Sequence, residues 1–159
     1  MRTWADASAL IALGACGELS FLKDLFGRIY ITEQVAREIL AGKETTAMRD
    51  AMRDWIRVEK VHGDRRRWQA LGLGDGEASL FLTPTIDRLI LDERPARTVA
   101  EAEGREYTGL LGLILAAART RRIARDRAVE IIRRLVAAGF HLSTELYDAA
   151  LRELEAGSR

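Results

Sequence analysis

The segment Arg88-Leu89-Ile90-Leu91-Asp92-Glu93-Arg94-Pro95-Ala96-Arg97 is the most informative part of the chain about its fold. Its unbroken aliphatic run, Leu89 to Leu91, favours a parallel strand that is covered on both faces. Asp92 and Glu93 end this run, and Pro95, which has no backbone N–H, predicts the first turn of a following helix. A buried strand that carries acids at its carboxyl end is typical of the place where an open α/β sheet binds a ligand or a metal. The alternative is that the two acids only cap the helix.

Short strands alternate with helices along the chain. Strands are predicted at about 2–6, 29–31, 55–59, 89–91 and 105–107. Because this alternation continues without a change in composition, it predicts a single α/β domain over residues 1–159, with a central, mainly parallel sheet of about four to five short strands. A C-terminal helical extension is expected from about residue 126.

Polar residues and proline predict where several helices begin and end. Ser8 and Thr32 are expected to cap the N-termini of two helices, and Thr108 is expected to open a long apolar helix. Pro84 is expected to end the helix that follows a glycine-rich segment. Two amphipathic helices are predicted near the end of the chain, at about 126–138 and 143–156.

The composition is that of an ordinary soluble globular protein. The chain has 159 residues, of which 48% are hydrophobic and 31% charged, and a net charge of +1 argues against a strongly basic nucleic-acid-binding module. Cys16 is the single cysteine, which excludes an internal disulfide and a cysteine-based zinc site. Asp6 places a charge where a signal peptide has its apolar region, and no segment approaches the roughly 20 apolar residues of a membrane span. A cytoplasmic protein without a membrane segment is therefore expected.

Arginine dominates the basic residues. Of the 25 lysines and arginines three are lysine, which leaves 22 arginines. The planar guanidinium suits phosphate and carboxylate alike, but the base composition of a genome produces the same bias, so this points only weakly to nucleic acid. Arg65-Arg66-Arg67 beside Trp68 has two interpretations. The favoured one is a solvated loop, and the other is an RNA contact in which the indole stacks on a base.

Four acids occupy comparable positions in the predicted elements. Asp6 ends the first strand, Asp92 ends the aliphatic strand, and Glu77 lies in the first turn of a central helix. These places share one edge of a parallel sheet, so the three side chains are expected to converge. Glu38 joins them only if its helix crosses that edge. Crowded carboxylates raise each other's pKa unless a cation compensates, and oxygen ligands without histidine or cysteine suit Mg²⁺ or Mn²⁺.

Residues around these acids leave some alternatives open and exclude others. Arg94 and Arg97 flank the predicted site and are able either to position a phosphate or to pair with the local acids. The glycines at 72, 74 and 76 are not followed by Gly-Lys-Ser/Thr, which excludes a P-loop. The triplet Asp6-Ala7-Ser8 lacks a second aspartate two places on, which weakens the case for a phosphoaspartyl phosphatase.

The order and spacing of several motifs resemble those of the PIN-domain ribonucleases, the group that contains the VapC-type toxins. The resemblance spans nearly the whole chain, and in particular it resembles the branch with a Gly-x-Gly-Glu-Ala helix start. The motifs are Asp6-Ala7-Ser8 with Leu10-Ile11-Ala12-Leu13, Ile31 followed by Val35-Ala36-Arg37-Glu38-Ile39, Leu71-Gly72-Leu73-Gly74-Asp75-Gly76-Glu77-Ala78, Leu91-Asp92-Glu93 with Ala96-Arg97, Thr108-Gly109-Leu110-Leu111-Gly112, and Gly139-Phe140-His141-Leu142-Ser143.

This resemblance implies a three-layer α/β/α fold and a metal-dependent endoribonuclease, the toxin of a toxin–antitoxin pair. It implies catalysis and Mg²⁺ or Mn²⁺ binding by four acids, Asp6, Glu38, Glu77 and Asp92. Ser8 would orient Asp6 or its water. Glu93 stands where the branch often has a second aspartate, so it is a further candidate ligand. RNA as substrate, a homodimer and a small antitoxin protein as partner are implied as well.

Two other functions are compatible with the sequence. One is a non-catalytic PIN-like module that binds RNA or protein and whose acids no longer hold metal, for which the glutamate at position 93 and the near-neutral charge are the reasons. The other is a receiver-like phosphoacceptor domain that uses Asp92. It requires a lysine near the acids, and the three lysines of the chain are not obviously placed there.

Overall fold

The computed structural model describes residues 1–43 and 45–157. Within them lie five strands, β1 (Thr3–Ala5), β2 (Ile29–Thr32), β3 (Ile56–Glu59), β4 (Arg88–Ile90) and β5 (Tyr107–Thr108). They form one sheet in the order β3-β2-β1-β4-β5, and every neighbouring pair is parallel. The predicted parallel α/β sheet is confirmed, and β3 lies at an edge of it.

The strand order changes direction between β1 and β4. From β1 the chain moves outward to β2 and β3 on one side, and it then returns to place β4 and β5 on the other side. Open parallel sheets bind ligands at the carboxyl ends of the strands where such a reversal occurs. Asp6 and Asp92, which follow β1 and β4, lie at that point.

The strand order also differs from the 2-1-3-4-5 order of receiver-type domains, so the fold does not support the phosphoacceptor interpretation.

The aliphatic run in the middle of the sheet is buried on both faces, as predicted. Leu89, Ile90 and Leu91 each have 0% exposure. Trp4 and Ala5 of β1 lie opposite Leu89 and Ile90. Although β4 ends at Ile90, the Leu91 amide still donates to the Thr108 carbonyl (2.9 Å). The ladder therefore continues to the residue immediately before the acids.

Helices flank the sheet in the three-layer α/β/α arrangement that the sequence predicts. The chain divides into two compact units, Met1–Gly109 and a second one that begins at Leu110. The helices of the first unit are α1 (Ala7–Ala15), α2 (Ser20–Phe26), α3 (Glu33–Ala41), α4 (Thr46–Asp54), α5 (Arg66–Gln69), α6 (Asp75–Leu80) and α7 (Arg94–Ala102). Pro95 lies in the first turn of α7, as predicted.

Two predicted helix starts differ from the structure. Thr32 does cap α3, since its hydroxyl accepts from the Val35 amide (3.1 Å). Ser8 does not cap α1. The N-cap is Asp6, whose carboxylate accepts from the Ala9 amide while Ser8 already lies in the first helical turn. Thr108 does not open a helix either, because its carbonyl is part of the β4–β5 ladder.

The central helix is shorter than predicted. α6 ends at Leu80 rather than at Pro84. The following residues form a turn, in which the Thr83 hydroxyl donates to the Leu80 carbonyl (2.6 Å). The Thr83 amide also donates to the Leu80 carbonyl (3.2 Å), so the buried end of the helix closes in an i→i+3 turn before the proline is reached.

The second unit contains α8 (Leu110–Arg119), α9 (Arg125–Ala137) and α10 (Thr144–Ala156). The last two match the predicted terminal helices to within one residue, and Ser143 caps α10 as predicted, accepting from the Leu146 amide (3.2 Å). Arg119 and Glu153 connect α8 to α10 (3.4 Å). That residues 1–159 form a single domain stays a prediction. No helix within the part of the chain that the structure describes is long and apolar enough to cross a membrane.

Candidate functional site

Asp6 joins the carboxyl ends of β1 and β4. Its Oδ1 accepts from the Ala9 amide (2.8 Å), and its Oδ2 accepts from the Asp92 amide (2.9 Å). The Asp6 amide in turn donates to the Ile90 carbonyl (3.0 Å). With 1% exposure, this carboxylate is fixed in the interior at the point where the strand order reverses.

Negative charge surrounds Asp6. The pKa of Asp6 is raised from 3.8 to about 7, mainly by burial and in smaller part by the charges of Asp92 and Glu77, while the two backbone hydrogen bonds from Ala9 and Asp92 oppose the rise. Each charge that adds to the repulsion belongs to a residue that the sequence predicts to be in the site. The predicted convergence of three acids at one sheet edge is thus reflected in their electrostatic interactions.

Glu77 experiences the same conditions at the start of α6. The pKa of this half-buried side chain is raised from 4.5 to about 7 by burial, the largest cause, and by the charges of Glu93 and Glu38, while a hydrogen bond from the Gly74 amide opposes the rise. Glu77 therefore interacts with Asp6 on one side and with the two further glutamates on the other. Carboxylates that repel each other in this way favour the binding of a cation.

Glu38 reaches the site through a contact with the glycine-rich start of α6. Its Oε1 accepts from the Gly76 amide (2.9 Å). A Cβ added at Gly76 would lie 2.5 Å from that oxygen, so glycine allows the glutamate to approach the backbone. The Ser79 hydroxyl donates to the Gly76 carbonyl (2.6 Å) and lies 2.7 Å from the Thr32 hydroxyl, and both hydroxyl-bearing residues have 0% exposure. This buried pair connects the N-cap of α3 to the last turn of α6.

Ser8 and Glu93 form a pair at the rim of the site. The Ser8 hydroxyl, in the first turn of α1, donates to Glu93 Oε1 (3.2 Å). Glu93 is the N-cap residue of α7 but makes no side-chain capping hydrogen bond. The structure therefore places Glu93 at the capping position, as the capping interpretation expects, but its carboxylate does not accept from the helix. Its carboxylate is directed by Ser8, at a place where it adds to the negative charge near Glu77.

Arg97 pairs with one of the site acids. Its Nη2 donates to Asp92 Oδ1 (3.0 Å), and its Nε donates to the Leu91 carbonyl (2.8 Å). The Asp92 side chain is 7% exposed and that of Arg97 is 40% exposed. The sequence left two roles open for Arg97, positioning a phosphate or pairing with a local acid. The structure shows the second, an ion pair with Asp92. Arg94 is exposed at the first residue of α7.

The suggestion that Trp68 stacks on an RNA base is wrong. Trp68 is 4% exposed, it stacks on Phe81 with ring centroids 5.7 Å apart, and its indole N–H donates to Glu103 (2.7 Å). The indole is therefore part of the core. The neighbouring arginines have local acidic partners: Arg65 pairs with Asp75, Arg66 with Asp64, and Arg67 with Glu103.

The donor set fits a hard divalent cation in chemistry and charge. The five acids, Asp6, Glu38, Glu77, Asp92 and Glu93, offer oxygen ligands, and repulsion from other carboxylates contributes to the raised pKa values of two of them, Asp6 and Glu77. Over residues 1–43 and 45–157, however, no three His, Cys, Asp or Glu side chains are grouped so that they hold one ion together. Mg²⁺ usually keeps several waters and binds proteins through about one or two carboxylates. The site therefore fits an ion with one or two direct carboxylate ligands better than one with four.

Gly109 and Ser79 are parts of the site that the sequence did not reveal. A Cβ at Gly109 would overlap the Arg97 guanidinium and lie 3.3 Å from Asp92 Oδ1. Gly109 belongs to a Thr-Gly-Leu-Leu motif noted in the sequence, but nothing local indicates that its partner is an arginine twelve residues earlier. The sequence around Ser79 does not distinguish it from other serines in buried helices. Its contacts with Thr32 and Gly76 are seen only in the structure.

A family model described as a PIN domain matches residues 3–156. No match came from a search of curated proteins or from a search of solved structures. PIN domains have a nuclease-type fold and are generally nucleases that bind RNA. Because the match covers nearly the whole chain, and because the chain has a parallel sheet with acids at its switch point, it belongs to the PIN-domain family.

Proposed function

We propose that this protein is an endoribonuclease that depends on Mg²⁺ or Mn²⁺ and hydrolyses RNA phosphodiester bonds. The observation that carries the proposal is the group of carboxylates at the switch point of a PIN fold, where burial, with a further contribution from neighbouring carboxylates, raises the pKa values of Asp6 and Glu77 to about 7. A structural role does not explain this crowding, because repulsion between buried acids destabilises the fold. A divalent cation turns the same charges into favourable ligands.

The residues of the site have distinct roles in this proposal. Asp6, Glu77 and Asp92 would hold the ion, one or two of them directly, and Glu38 and Glu93 would contact it through water. When bound, the ion lowers the pKa of water and neutralises the charge that develops on a phosphodiester during in-line displacement. The Gly76 amide fixes Glu38 and the Ser8 hydroxyl fixes Glu93, which limits the number of carboxylate arrangements that an incoming cation has to reorganise.

Cleavage of RNA by the purified protein with Mn²⁺ tests the enzyme. Asp6→Asn and Asp92→Asn are expected to lower the cleavage rate at least about 100-fold, since loss of a ligand affects activity at least as strongly as loss of an outer partner. Asp54→Asn is the matched control, because Asp54 is an exposed aspartate that pairs with Lys23 (2.7 Å) away from the site. Equal rates for the wild type and the two site variants would contradict the proposal.

The second candidate is a non-catalytic PIN-like module that binds RNA or protein. It is favoured by the missing three-carboxylate group among the described residues and by the glutamate at position 93. Calorimetry with Mn²⁺ separates the two candidates. Tight binding that Asp92→Ala abolishes supports the nuclease, and absence of Mn²⁺ binding together with retained RNA binding supports the module.

We further propose that the protein acts in the cytoplasm as a homodimeric toxin and that a small antitoxin protein inhibits it. These roles follow from the resemblance to VapC-type PIN proteins. A short reading frame just upstream, whose product co-purifies with this chain and suppresses RNA cleavage, is the expected result. Sedimentation of the isolated chain tests the dimer. Failure of any neighbouring product to bind would remove the toxin role and leave the nuclease proposal intact.

A further inference from the structure

We propose that Arg97 is a built-in counter-cation of Asp92, that Gly109 is glycine in order to admit it, and that a divalent cation entering the acidic site competes with its charge. This inference rests on the proposed function, because it concerns the cation that the function requires. It assigns to the chain a positioning residue whose effect is opposite to that of a ligand: removal of its charge strengthens metal binding.

The guanidinium of Arg97 is held by two different acceptors. Nε donates to the Leu91 carbonyl (2.8 Å), at the last residue of the aliphatic run, and Nη2 donates to Asp92 Oδ1 (3.0 Å). The first contact involves backbone that is itself fixed in the ladder, because the Leu91 amide donates to Thr108. The guanidinium is therefore tied to the sheet, and the Asp92 carboxylate is tied to the guanidinium.

Gly109 provides the space that this arrangement needs. It directly follows β5, and a Cβ there would overlap Arg97 Nη2 and approach Asp92 Oδ1 to 3.3 Å. Gly109 is not among the described glycines with positive φ, so backbone conformation does not require glycine at this position. Glycine is required at position 109 because the Arg97 guanidinium approaches its backbone closely.

The position of Arg97 balances one of the crowded charges. Asp92 adjoins the buried Asp6, whose Oδ2 accepts from the Asp92 amide (2.9 Å), and a fixed guanidinium 3.0 Å from Asp92 Oδ1 offsets part of the negative charge there before any ion arrives. The same fixed positive charge repels a divalent cation that approaches Asp92. Since charges a few ångströms apart interact by about 1 kcal/mol or more even in a highly polarisable environment, neutralising Arg97 is expected to tighten Mn²⁺ binding on the order of tenfold.

Calorimetric titration with Mn²⁺ alone, without RNA, tests this inference. Arg97→Gln removes the charge and keeps a hydrogen-bond donor, and it is expected to bind Mn²⁺ about tenfold more tightly than the wild type. Arg97→Lys keeps the charge and is expected to bind Mn²⁺ within about threefold of the wild type. Unchanged or weaker Mn²⁺ binding by Arg97→Gln would overturn the inference.

Gly109→Ala tests the same inference without changing Arg97. The methyl group displaces the guanidinium, so this variant is expected to resemble Arg97→Gln, and the double variant is expected to bind Mn²⁺ no more tightly than Arg97→Gln alone. Gly42→Ala is the matched control, because a Cβ there makes ordinary contact with the Ile39 carbonyl at 3.6 Å. Equal Mn²⁺ affinities for Gly109→Ala, Gly42→Ala and the wild type would count against the role of Gly109.

The two proposals fail in different ways. If the wild type binds Mn²⁺ and Asp6→Asn abolishes this binding, the proposed metal site is supported independently of the result for Arg97→Gln. An unchanged Mn²⁺ affinity of Arg97→Gln then refutes only the role of Arg97 as a counter-cation. If neither the wild type nor Arg97→Gln binds Mn²⁺, the proposed function fails and the counter-cation fails with it. Circular dichroism of each variant before titration identifies a variant that has not folded, and Arg97→Gln and Gly109→Ala then substitute for each other.

Discussion

Two buried aspartates lie at opposite ends of the β1–β4 pair, and their surroundings differ. Asp87 precedes β4 and is 3% exposed. It accepts hydrogen bonds from the Arg2 amide and the Trp4 indole N–H, each at 2.9 Å. Asp6 follows β1 and is 1% exposed. It accepts from two backbone amides, those of Ala9 and Asp92. In burial and in number of donors the two carboxylates are nearly equal.

The charges near the two aspartates have opposite signs. Asp87 interacts with the buried guanidinium of Arg105, which is 5% exposed; burial lowers the pKa of Arg105, and the charge of Asp87 opposes that change. Asp6 instead interacts with Asp92 and Glu77, and both raise its pKa. The charge of a nearby cation stabilises a buried carboxylate in the folded protein, whereas the charges of nearby carboxylates destabilise it. In the proposed function, this difference separates a structural end of the sheet from the end that binds the cation.

The largest expected effect is the pH dependence of stability at Asp6. The folded pKa of about 7 lies above the ordinary 3.8, so the native state binds more protons than the unfolded state between these values. The contribution of Asp6 to stability is fully present below about pH 4 and is lost as the pH rises through about 7. At about 1.4 kcal/mol per pH unit, the metal-free wild type should lose up to about 4 kcal/mol relative to Asp6→Asn between about pH 4 and 8, as measured by urea unfolding.

Asp54→Asn is the control for this pH profile. The hydrogen bond and charge of Lys23 lower the pKa of the exposed Asp54, so its small contribution is present at neutral pH and is lost as the pH falls. The unfolding free energy of Asp54→Asn relative to the wild type should therefore change in the opposite direction. If the difference in unfolding free energy between the wild type and Asp6→Asn does not vary with pH, the surroundings of Asp6 do not destabilise its ionised form, and the contrast with Asp87 is refuted.

Asp87→Ala tests the structural end of the sheet. The substitution leaves the Trp4 indole N–H and the Arg2 amide without their acceptor and removes a charge that faces Arg105. Since an unsatisfied buried donor costs about 1–3 kcal/mol, the free energy of unfolding should fall by about 3 kcal/mol, and Mn²⁺ affinity should not change. Denaturant unfolding and calorimetry on the same sample measure both. Altered Mn²⁺ binding would mean that the two ends are coupled.

Ser79→Ala tests the buried hydroxyl pair behind the acids. Ser79 holds the Gly76 carbonyl, and the Gly76 amide holds Glu38. Loss of these hydrogen bonds should cost about 1–2 kcal/mol of stability and weaken Mn²⁺ binding about tenfold, as is usual for outer partners of a metal site. Ser20→Ala, at the exposed start of α2, should change stability by less than about 0.5 kcal/mol. Ser79→Ala with normal Mn²⁺ affinity would limit Ser79 to a packing role.

Arg94→Gln is expected to have the smallest effect on stability, less than about 0.5 kcal/mol, because Arg94 is exposed. If Arg94 positions a phosphate, the substitution should raise KM for RNA severalfold and leave kcat unchanged, since it would remove binding energy that is equal in the ground and transition states. Steady-state cleavage with Mn²⁺ measures both constants. An unchanged KM would leave Arg94 without a role in substrate binding.

Much of the fold was predictable because it depends on interactions between near neighbours in the sequence. The run of Leu89 to Leu91 had to be covered on both faces, Thr32 could reach the amide of Val35 within one helical turn, and Pro95 had to lie in a first turn. The errors arose where two local solutions competed. Both Asp6 and Ser8 are good N-cap residues, and Asp6 is the one that caps α1. Thr108 belongs to β5 rather than to a helix because its carbonyl accepts from the Leu91 amide.

The parallel α/β fold and the places of Asp6, Glu77 and Asp92 next to the ends of its elements follow from the amino-acid sequence alone, because hydrophobic periodicity and turn chemistry act over a few residues. Only the tertiary structure decided that the Asp92 amide binds Asp6 from 86 positions away, that Gly76 binds Glu38 from 38 positions away, that Trp68 is buried, and that Arg97 occupies the space above Gly109. These contacts depend on how strands and helices pack, and a packed position is fixed by partners that no local pattern identifies.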